Sequence, residues 1–227
     1  MKKILSFLSM AALIVTAASC SEKDTVIAYG DAEFGMLDNG IILTDSGVNF
    51  TVVENQSSMR TDTTCRVYIV CDVLSVNSSD GYDIRLTNAL PIMTKEILSS
   101  TEVSVDTLTD DPIRVWSAWY GGGYLNLGIT FLAHNPAKDK HAINVVRDTG
   151  EDSQTLKLRV FHDAGKDAIE NYASEDYVSA STYVSFNLAP LVTPGGATPV
   201  TIEWNWFLDP ESFDGVRYVY SMEGSIL

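Results

Sequence analysis

The sequence predicts an all-β protein in which a small OB-like five-stranded barrel is followed by an antiparallel β-sandwich of about seven strands. Three observations lead to this fold class. Turn signals recur along the whole chain, apolar and polar residues alternate between them, and residues 96–111 show no such alternation. Because 45% of the residues are hydrophobic and 10% are aromatic, the regions on both sides of that break can bury a core.

A secretory signal precedes both units. Residues 1–19 begin with Lys2 and Lys3, continue as an apolar run and end in small residues directly before Cys20. The apolar run is shorter than the roughly 20 residues of a membrane-spanning helix. Small residues followed at once by cysteine are typical of a lipobox, so Cys20 is predicted to become the first mature residue and to carry a diacylglycerol on its sulfur. Such an anchor, which palmitate labelling would detect, holds far more firmly than one acyl chain.

Residues 20–27 are predicted to be a short lipidated tether. Its second position is Ser21 rather than aspartate, and an aspartate there is the usual signal that retains a lipoprotein in the inner membrane. We therefore expect an outer-membrane lipoprotein. Glu22 and Asp24 resemble short acidic signals for export to the cell surface, but Lys23 lies between them, so both a periplasmic and a surface-facing orientation stay open.

The barrel is expected over residues 28–95, where short strands follow one another closely. Asp38-Asn39-Gly40 is a hairpin signal, and Asp45-Ser46-Gly47 is a second turn signal. The strands are predicted at residues 34–37, 41–44, 49–54, 65–76 and 82–90. Five short strands in fewer than 70 residues are typical of a small closed barrel.

Residues 96–111 are predicted to be a connector, rich in serine, threonine and aspartate, and residues 112–227 to form the sandwich. Alternation in the second unit is regular. Apolar side chains of one parity recur in five segments, at residues 125–131, 156–160, 184–188, 200–206 and 218–220. With residues 113–119 and 142–146 they give about seven strands, each buried on one face.

Charge excludes nucleic acid as a partner. The chain carries a net charge of −15, and removal of the signal peptide takes away two lysines and no acidic residue. The mature protein would then have 13 basic and 30 acidic residues. Because nonspecific nucleic-acid binding depends on lysine and arginine neutralising phosphates, such a surface repels DNA and RNA.

No catalytic, metal or cofactor site is predicted. Cys65 and Cys71 share one face of one strand but lie about 20 Å apart, too far for a disulfide, so both are expected to be buried free thiols. His134 and His141 lack further ligands at zinc-binding spacing, and His162 is expected to be packed or hydrogen-bonded in a strand. The common nucleophile, P-loop and metalloprotease motifs are missing from the sequence, so no enzyme activity is expected.

Aromatic residues around the glycines at 121–123 are the candidates for ligand contact. Trp119, Tyr120 and Tyr124 lie beside this glycine hairpin, with Trp116 earlier on the same strand. In a regular strand Trp116 and Trp119 would face opposite sides, so only one of them could point into the core. An exposed large aromatic residue is a candidate for stacking on a partner or a sugar ring.

Two threonines fit a pattern for O-linked glycans. Thr25 and Thr107 each follow aspartate and precede an apolar residue, as at sites where exported proteins of some Gram-negative bacteria carry O-glycans. Thr107 lies in the predicted connector, where a glycan would be accessible.

Several motifs, kept in order along nearly all of the mature chain, resemble those of the NigD-like lipoproteins. The resemblance implies a lipid anchor, an N-terminal OB barrel and a C-terminal β-sandwich. The association of the family's name with a bacteriocin gene cluster implies an immunity or accessory role, and no catalytic residues are carried over. The motifs are Gly81-Tyr82-Asp83, Asp111-Pro112-Ile113 leading to Trp119, Gly122-Gly123-Tyr124-Leu125-Asn126-Leu127, His141-Ala142-Ile143-Asn144-Val145-Val146, Leu158-Arg159-Val160-Phe161-His162 and Tyr183-Val184-Ser185-Phe186-Asn187-Leu188.

The sequence therefore favours a noncatalytic, lipid-anchored envelope protein with a binding, immunity or accessory role. Its partners are expected to be the membrane, through diacylglyceryl-Cys20, and an unknown envelope protein or glycan. One alternative is a minor pilin or adhesin subunit, which usually needs cleavage after a basic residue such as Arg60 or Arg66. A second alternative is a glycan-binding accessory lipoprotein.

Overall fold

A computed structural model describes residues 32–77, 81–136, 138–149, 155–168, 171, 177–192, 197–207 and 217–226. Five strands form a closed barrel: β1 (Glu33–Asp38), β2 (Ile41–Thr44), β3 (Asn49–Asn55), β4 (Thr64–Val76) and β5 (Tyr82–Pro91). Their order around the barrel is β1-β2-β3-β5-β4, closed by pairing of β1 with β4. The predicted OB-like barrel is thereby confirmed.

Local sequence explains how the barrel closes. Asn39 and Gly40 both have positive φ, 47° and 85°, which is the backbone of the two-residue hairpin that Asp38-Asn39-Gly40 predicts. β4 is long enough to pair with both β1 and β5, and two irregularities in its register with β5 help it curve. Alternate β4 residues point into the core, including Val67, Ile69 and Val73.

The second unit is a two-layer sandwich, as predicted. Its strands are β6 (Met93–Glu96), β7 (Leu98–Ser99), β8 (Arg114–Gly121), β9 (Tyr124–Ala133), β10 (Ala142–Arg147), β11 (Leu156–Asp163), β12 (Val178–Asn187), β13 (Thr198–Phe207) and β14 (Arg217–Ile226). One sheet has the order β14-β13-β11-β10-β7 and the other β6-β12-β9-β8. Short 3₁₀ turns lie at Val105–Thr107, Gly165–Asp167 and Ala189–Leu191.

The sandwich core follows the predicted parity. Leu125, Leu127 and Ile129 of β9 pack with Val184 and Phe186 of β12, and the alternate apolar residues of β11 and β13 face them from the other sheet. Pairing is mixed rather than purely antiparallel, because β12 lies in the opposite sheet and leaves β11 and β13 as parallel neighbours. Sequence alternation cannot distinguish parallel from antiparallel pairing.

The boundary between the units lies earlier than the sequence indicated. The barrel ends at Pro91. Strand β6, of which residues 93–95 fall within the predicted barrel of residues 28–95, instead pairs with β12 of the sandwich. β7, in the predicted connector, pairs with β10 in the opposite sheet. Residues 93–99 therefore join the two sheets, with Ile97 packed on the core between them. Strands of two to four residues are too short to show alternation.

Candidate functional site

The barrel and the sandwich meet at Arg66, whose side chain is 1% exposed. Arg66 belongs to the outward parity of β4, so its guanidinium leaves the barrel and reaches the outer face of the β6-β12-β9-β8 sheet. There Nε donates to Ser185 Oγ at 2.9 Å and Nη2 donates to Asn126 Oδ1 at 2.8 Å. Nη1 donates to Asp45 Oδ1 at 2.9 Å, and the Tyr124 ring centroid lies 4.4 Å from the guanidinium carbon.

Asp45 approaches the glycine hairpin between β8 and β9 closely enough to exclude side chains there. A Cβ on Gly121 would stand 2.6 Å from Asp45 Oδ2, and one on Gly122 would collide with Asp45 Oδ1. Gly122 also has a φ of 58°, which residues with side chains rarely adopt. The glycines therefore allow the β2–β3 turn of the barrel to seat against the sandwich.

A cluster of five aromatic side chains, here called the junction aromatics, lies beside this contact. It consists of Phe34 and Tyr68 from the barrel and Trp116, Trp119 and Tyr183 from the sandwich. Phe34 contacts Trp119 at a ring-centroid distance of 4.9 Å, and Tyr68 stacks on Tyr183 at 5.7 Å. The cluster joins the two units through edge-to-face and stacked contacts, the arrangements that aromatic rings prefer.

A β-bulge places Trp116 and Trp119 on the same face of the sheet. Val115 pairs with Ile129 and Ser117 with Gly128, so Trp116 is an extra residue in β8. The bulge reverses the parity of the strand, and both indoles contact the Tyr183 ring, at 5.4 and 5.9 Å. The expectation that they face opposite sides, which assumed a regular strand, is therefore wrong.

Trp116 lies across Gly128 on the outer face of the sheet. A Cβ on Gly128 would stand 2.6 Å from the indole carbons Cη2 and Cζ2, so the ring occupies the place where another residue's side chain would be. The indole remains 42% exposed. One row further along the same face lie Arg114, Thr130 and Ser181, paired in register, with the two hydroxyl oxygens 2.7 Å apart.

The predicted contact residues occupy different settings. Trp119 is half-buried among the junction aromatics and Tyr124 lies against Arg66, so both take part in the contact between the units. Tyr120 is 36% exposed but lies on the same face of β8 as the inward-facing Ala118, which is the face opposite Trp116. Their role as ligand contacts stays a prediction. Arg66 was missed, because its partners in the sandwich lie 60 and 119 residues away and leave no local signal.

The described part of the chain also contains a buried chain of hydrogen bonds between two histidines and an aspartate. His162 Nδ1 lies 3.1 Å from the Pro112 carbonyl and must donate to it, so Nε2 accepts from His141 Nδ1 at 2.8 Å. His141 Nε2 lies 3.1 Å from Asp167 Oδ2. The interpretation of His162 as a hydrogen-bonded strand residue is confirmed.

Burial affects the pKa values of His162 and Asp167 in this hydrogen-bonded series. It lowers the pKa of His162 to about 4, against the opposing effect of the Pro112 hydrogen bond. For Asp167 burial disfavours the charged form, but hydrogen bonds from His141 and from the His134 and Asn135 N–H groups outweigh it and lower the pKa. These bonds tie the loops around residues 134 and 167 to the strand bearing His162, which indicates a structural role. No described group of three or more His, Cys, Asp or Glu residues could hold a metal ion.

A groove of about 490 Å³ lies on the other sheet, under residues 100–110. Arg159 donates to Asp110 Oδ2 at 2.7 Å and places its guanidinium over Phe161 at the groove floor. Thr107, the predicted O-glycosylation residue, is exposed in the 3₁₀ turn beside this groove. The predicted lipidation residue Cys20 and the second predicted O-glycosylation residue, Thr25, lie outside the described residues.

The two predicted thiols are free. Cys71 is buried in the barrel core and Cys65 is half-buried at its edge. Burial, with the nearby charges of Glu33 and Asp72, raises the pKa of Cys71 to about 11, and burial also raises the pKa of Cys65. Neither thiol has the low pKa of a reactive cysteine. No helix among the described residues is long and apolar enough to span a membrane.

A known family model matches the C-terminal half of this chain. The model for the NigD-like C-terminal beta sandwich domain matches residues 96–214, which is just over half of the chain. No curated protein sequence matches significantly.

Solved structures share this fold over 85–86% of the chain. A NigD-like immunity protein from Bacteroides caccae superposes with a TM-score of 0.60 at 22% identity, covering 86% of this chain and 91% of that one. A protein of unknown function from Bacteroides vulgatus gives 0.61 at 16% identity, with coverages of 85% and 90%. A candidate lipoprotein from Bacteroides fragilis gives 0.58 at 14% identity, with coverages of 85% and 96%. At these identities the likeness shows the fold.

Proposed function

Because this chain belongs to the NigD-like family, we propose that it is a noncatalytic lipoprotein of the bacterial outer membrane that acts by binding, in an immunity or accessory role. The family match over residues 96–214 is the observation that carries the proposal. A similar solved structure is described as a NigD-like immunity protein, which supports the immunity role, and another as a candidate lipoprotein, which supports the anchor.

The anchor rests on the chain's own start. Lys2 and Lys3, the apolar run and the small residues before Cys20 have the order of a lipoprotein signal, and Ser21 lacks the inner-membrane retention residue. Diacylglycerol on Cys20 would hold the mature chain on the membrane without a spanning helix. The acidic mature protein would project from it, toward the periplasm or the cell surface.

A noncatalytic role is supported by how the described ionisable groups are used. His141 and Asp167 have side-chain exposures of 5% and 0%, and His162 is 1% exposed. A substrate could therefore reach these three side chains only if the fold opened. Arg66 is enclosed between the two units. These groups stabilise the structure, whereas general acid–base catalysis needs a group within hydrogen-bond reach of a substrate.

The pilin alternative meets a geometric difficulty. Arg66 is inaccessible to a protease in the folded protein. Arg60 is exposed, but cleavage after it would detach β1, β2 and β3 and open the barrel. The glycan-binding alternative has a specific observation in its favour, the exposed indole of Trp116.

Metabolic labelling tests the anchor. Cells expressing the wild type or Cys20→Ser would be fed labelled palmitate and separated into membrane and soluble fractions. We expect the wild type to take up label and sediment with membranes, and Cys20→Ser to do neither. Cys65→Ser, which alters a half-buried barrel thiol, is the matched control and should behave as the wild type. An unlabelled wild type, or a membrane-bound Cys20→Ser, would reject the lipid anchor.

Co-culture tests the immunity role separately. A strain lacking the gene should survive less well beside its parent than alone, because the parent retains both any bacteriocin and its protection. The wild-type gene should restore survival. Equal fitness in co-culture would reject immunity and leave the labelling result standing.

A further inference from the structure

Building on the binding role stated above, we propose that the outer face of the β6-β12-β9-β8 sheet binds a neutral carbohydrate chain, with one sugar ring stacked on Trp116. Arg114, Thr130 and Ser181, in the next row of the same face, would hydrogen-bond the sugar hydroxyls. This set of residues is called the Trp116 platform below. It lies on the sandwich unit and depends on neither the lipid anchor nor an immunity role.

The indole of Trp116 is fixed in place before any ligand arrives. The bulge at Trp116 turns the side chain to the outer face, and Gly128 leaves the space in which the ring lies. Tyr183 contacts the indole at 5.4 Å and is itself held by Tyr68 and Phe34. A ring already restricted on several sides loses little conformational entropy on binding.

The indole of Trp116 presents a flat apolar surface to solvent. Trp116 is 42% exposed, although the neighbouring junction aromatics are half-buried. Gly128 adds no side chain to the surface, so the indole lies low on the sheet, and a flat ligand could approach it. A pyranose ring presents a flat face of C–H groups that packs on a π surface, and it buries apolar area that would otherwise face water.

The surroundings of the indole suit hydroxyl groups. Thr130 lies two residues beyond Gly128 on β9, and Ser181 lies two residues before Tyr183 on β12. Each is therefore about 7 Å along its strand from the row that bears the indole. Their hydroxyls are 2.7 Å apart, and one of them keeps a proton to donate while both keep acceptor lone pairs. Arg114 is exposed opposite Thr130, and no described acidic side chain forms an ion pair with it. One aromatic face bordered by donors and acceptors matches the alternating apolar and polar surface of a sugar.

Charge and size argue against other occupants. A net charge of −15 repels polyanions, which disfavours nucleic acid and acidic polysaccharides. A stable protein interface buries about 800 Å² on each partner and is centred on several apolar side chains. The row beside Trp116 is instead serine, threonine and arginine. A neutral glycan requires only the single stacked ring and the polar border that the platform provides.

Saturation-transfer NMR on the full chain tests the proposal. The protein would be purified in lauryldimethylamine oxide, since a maltoside detergent would itself offer a sugar. The probes are maltohexaose, cellohexaose, mannohexaose and galactohexaose, each at about 5 mM, above the roughly 1 mM dissociation constant expected of one stacked ring with a few hydrogen bonds. We expect at least one probe to bind. Binding by none of the four would overturn the proposal.

Variants decide whether the platform is responsible. Trp116→Ala should weaken binding about tenfold, and Gly128→Ala should do the same because the added Cβ displaces the indole. Thr130→Val, which keeps the shape and removes the hydroxyl, should weaken it about threefold. Val219→Ala, which removes an apolar side chain of similar exposure, 44%, from β14 of the other sheet, is the matched control and should bind as the wild type.

Two further results would overturn the proposal. One is undiminished sugar binding by Trp116→Ala when its urea unfolding matches that of the wild type. The other is a photo-crosslinker at position 116 that captures one discrete protein in cells, since the platform would then hold a protein and not a sugar. In either case the palmitate labelling would be unaffected, so failure of the sugar platform can be distinguished from failure of the lipid anchor.

Discussion

Arg66 Nε donates a hydrogen bond to Ser185 Oγ at 2.9 Å, although the two residues are 119 positions apart in the chain. The first belongs to the barrel and the second to the sandwich, so this bond links the two units directly. Asp45 holds the same guanidinium from the barrel side, and Ser185 in turn donates to Asn126 Oδ1 at 2.7 Å. A buried charge with this many partners is stabilised only while both units remain docked.

Removing the guanidinium should destabilise the protein strongly. Arg66→Met keeps most of the side-chain volume but leaves the Asp45 carboxylate, 15% exposed, without its counter-charge. We expect the free energy of unfolding to fall by about 3 kcal/mol, the low end for breaking one side of a buried ion pair. Urea unfolding followed by tryptophan fluorescence measures it.

The matched control is Arg60→Met. Arg60 also pairs with an aspartate, Asp62, but the two side chains are 82% and 66% exposed. Solvent screens such a pair, so no measurable change is expected. Equal losses of stability for Arg66→Met and Arg60→Met would contradict the role given to Arg66.

Gly122→Ala should cost more than a glycine substitution that only strains the backbone. At Gly122 the new Cβ collides with Asp45, and the φ of 58° is also unfavourable for alanine. Gly47→Ala is the control, because its φ of 85° is also positive but nothing lies within 4 Å of its Cβ. We expect about 1 kcal/mol for Gly47→Ala from backbone strain alone and a clearly larger loss for Gly122→Ala. Comparable unfolding midpoints would show that Asp45 moves aside without cost.

Acid should destabilise the protein through His162. Its pKa is about 4 in the folded state and about 6.5 when unfolded, so between these pH values the unfolded chain binds more protons. The contribution of His162 to the free energy of unfolding is therefore fully present above about pH 6.5 and is lost as the pH falls toward 4. The lowered pKa of Asp167 acts in the same direction, at pH values below the normal range of an aspartate.

His162→Gln removes this titration and leaves an amide that can still accept from His141. Between pH 7 and 4 the wild type should lose about 3 kcal/mol more stability than this variant, as measured by urea unfolding at each pH. His134→Gln changes an exposed histidine and should keep the wild-type slope. Parallel slopes for the wild type and His162→Gln would rule out His162 as the source of acid sensitivity.

Much of the fold is readable from local sequence. The barrel strands and the seven long sandwich strands follow from alternation and from turn residues such as Asn39 and Gly40, since each pattern acts within a few residues. The short strands β6 and β7 were missed for the opposite reason. Four residues or fewer carry no periodicity, and these strands exist because the edges of β12 and β10 accept them.

The candidate site was located only in part. The sequence named Trp119, Tyr120 and Tyr124 as contact residues, whereas the structure leaves Trp116 the more exposed indole. The cause is the bulge in β8, which depends on the register with β9 and on the space above Gly128. Register is a relation between two strands, so the pattern of one strand does not reveal it.

The sequence by itself determined the two all-β units, the residues that fill each core and the acidic charge, because periodicity and composition are properties of the chain alone. Only the tertiary structure decided that Arg66, outward-facing in its own barrel, is buried against Asn126 and Ser185, and that the glycine hairpin receives Asp45. These contacts join residues from 60 to 119 positions apart. They form when two folded surfaces meet, and no local pattern encodes which surfaces those will be.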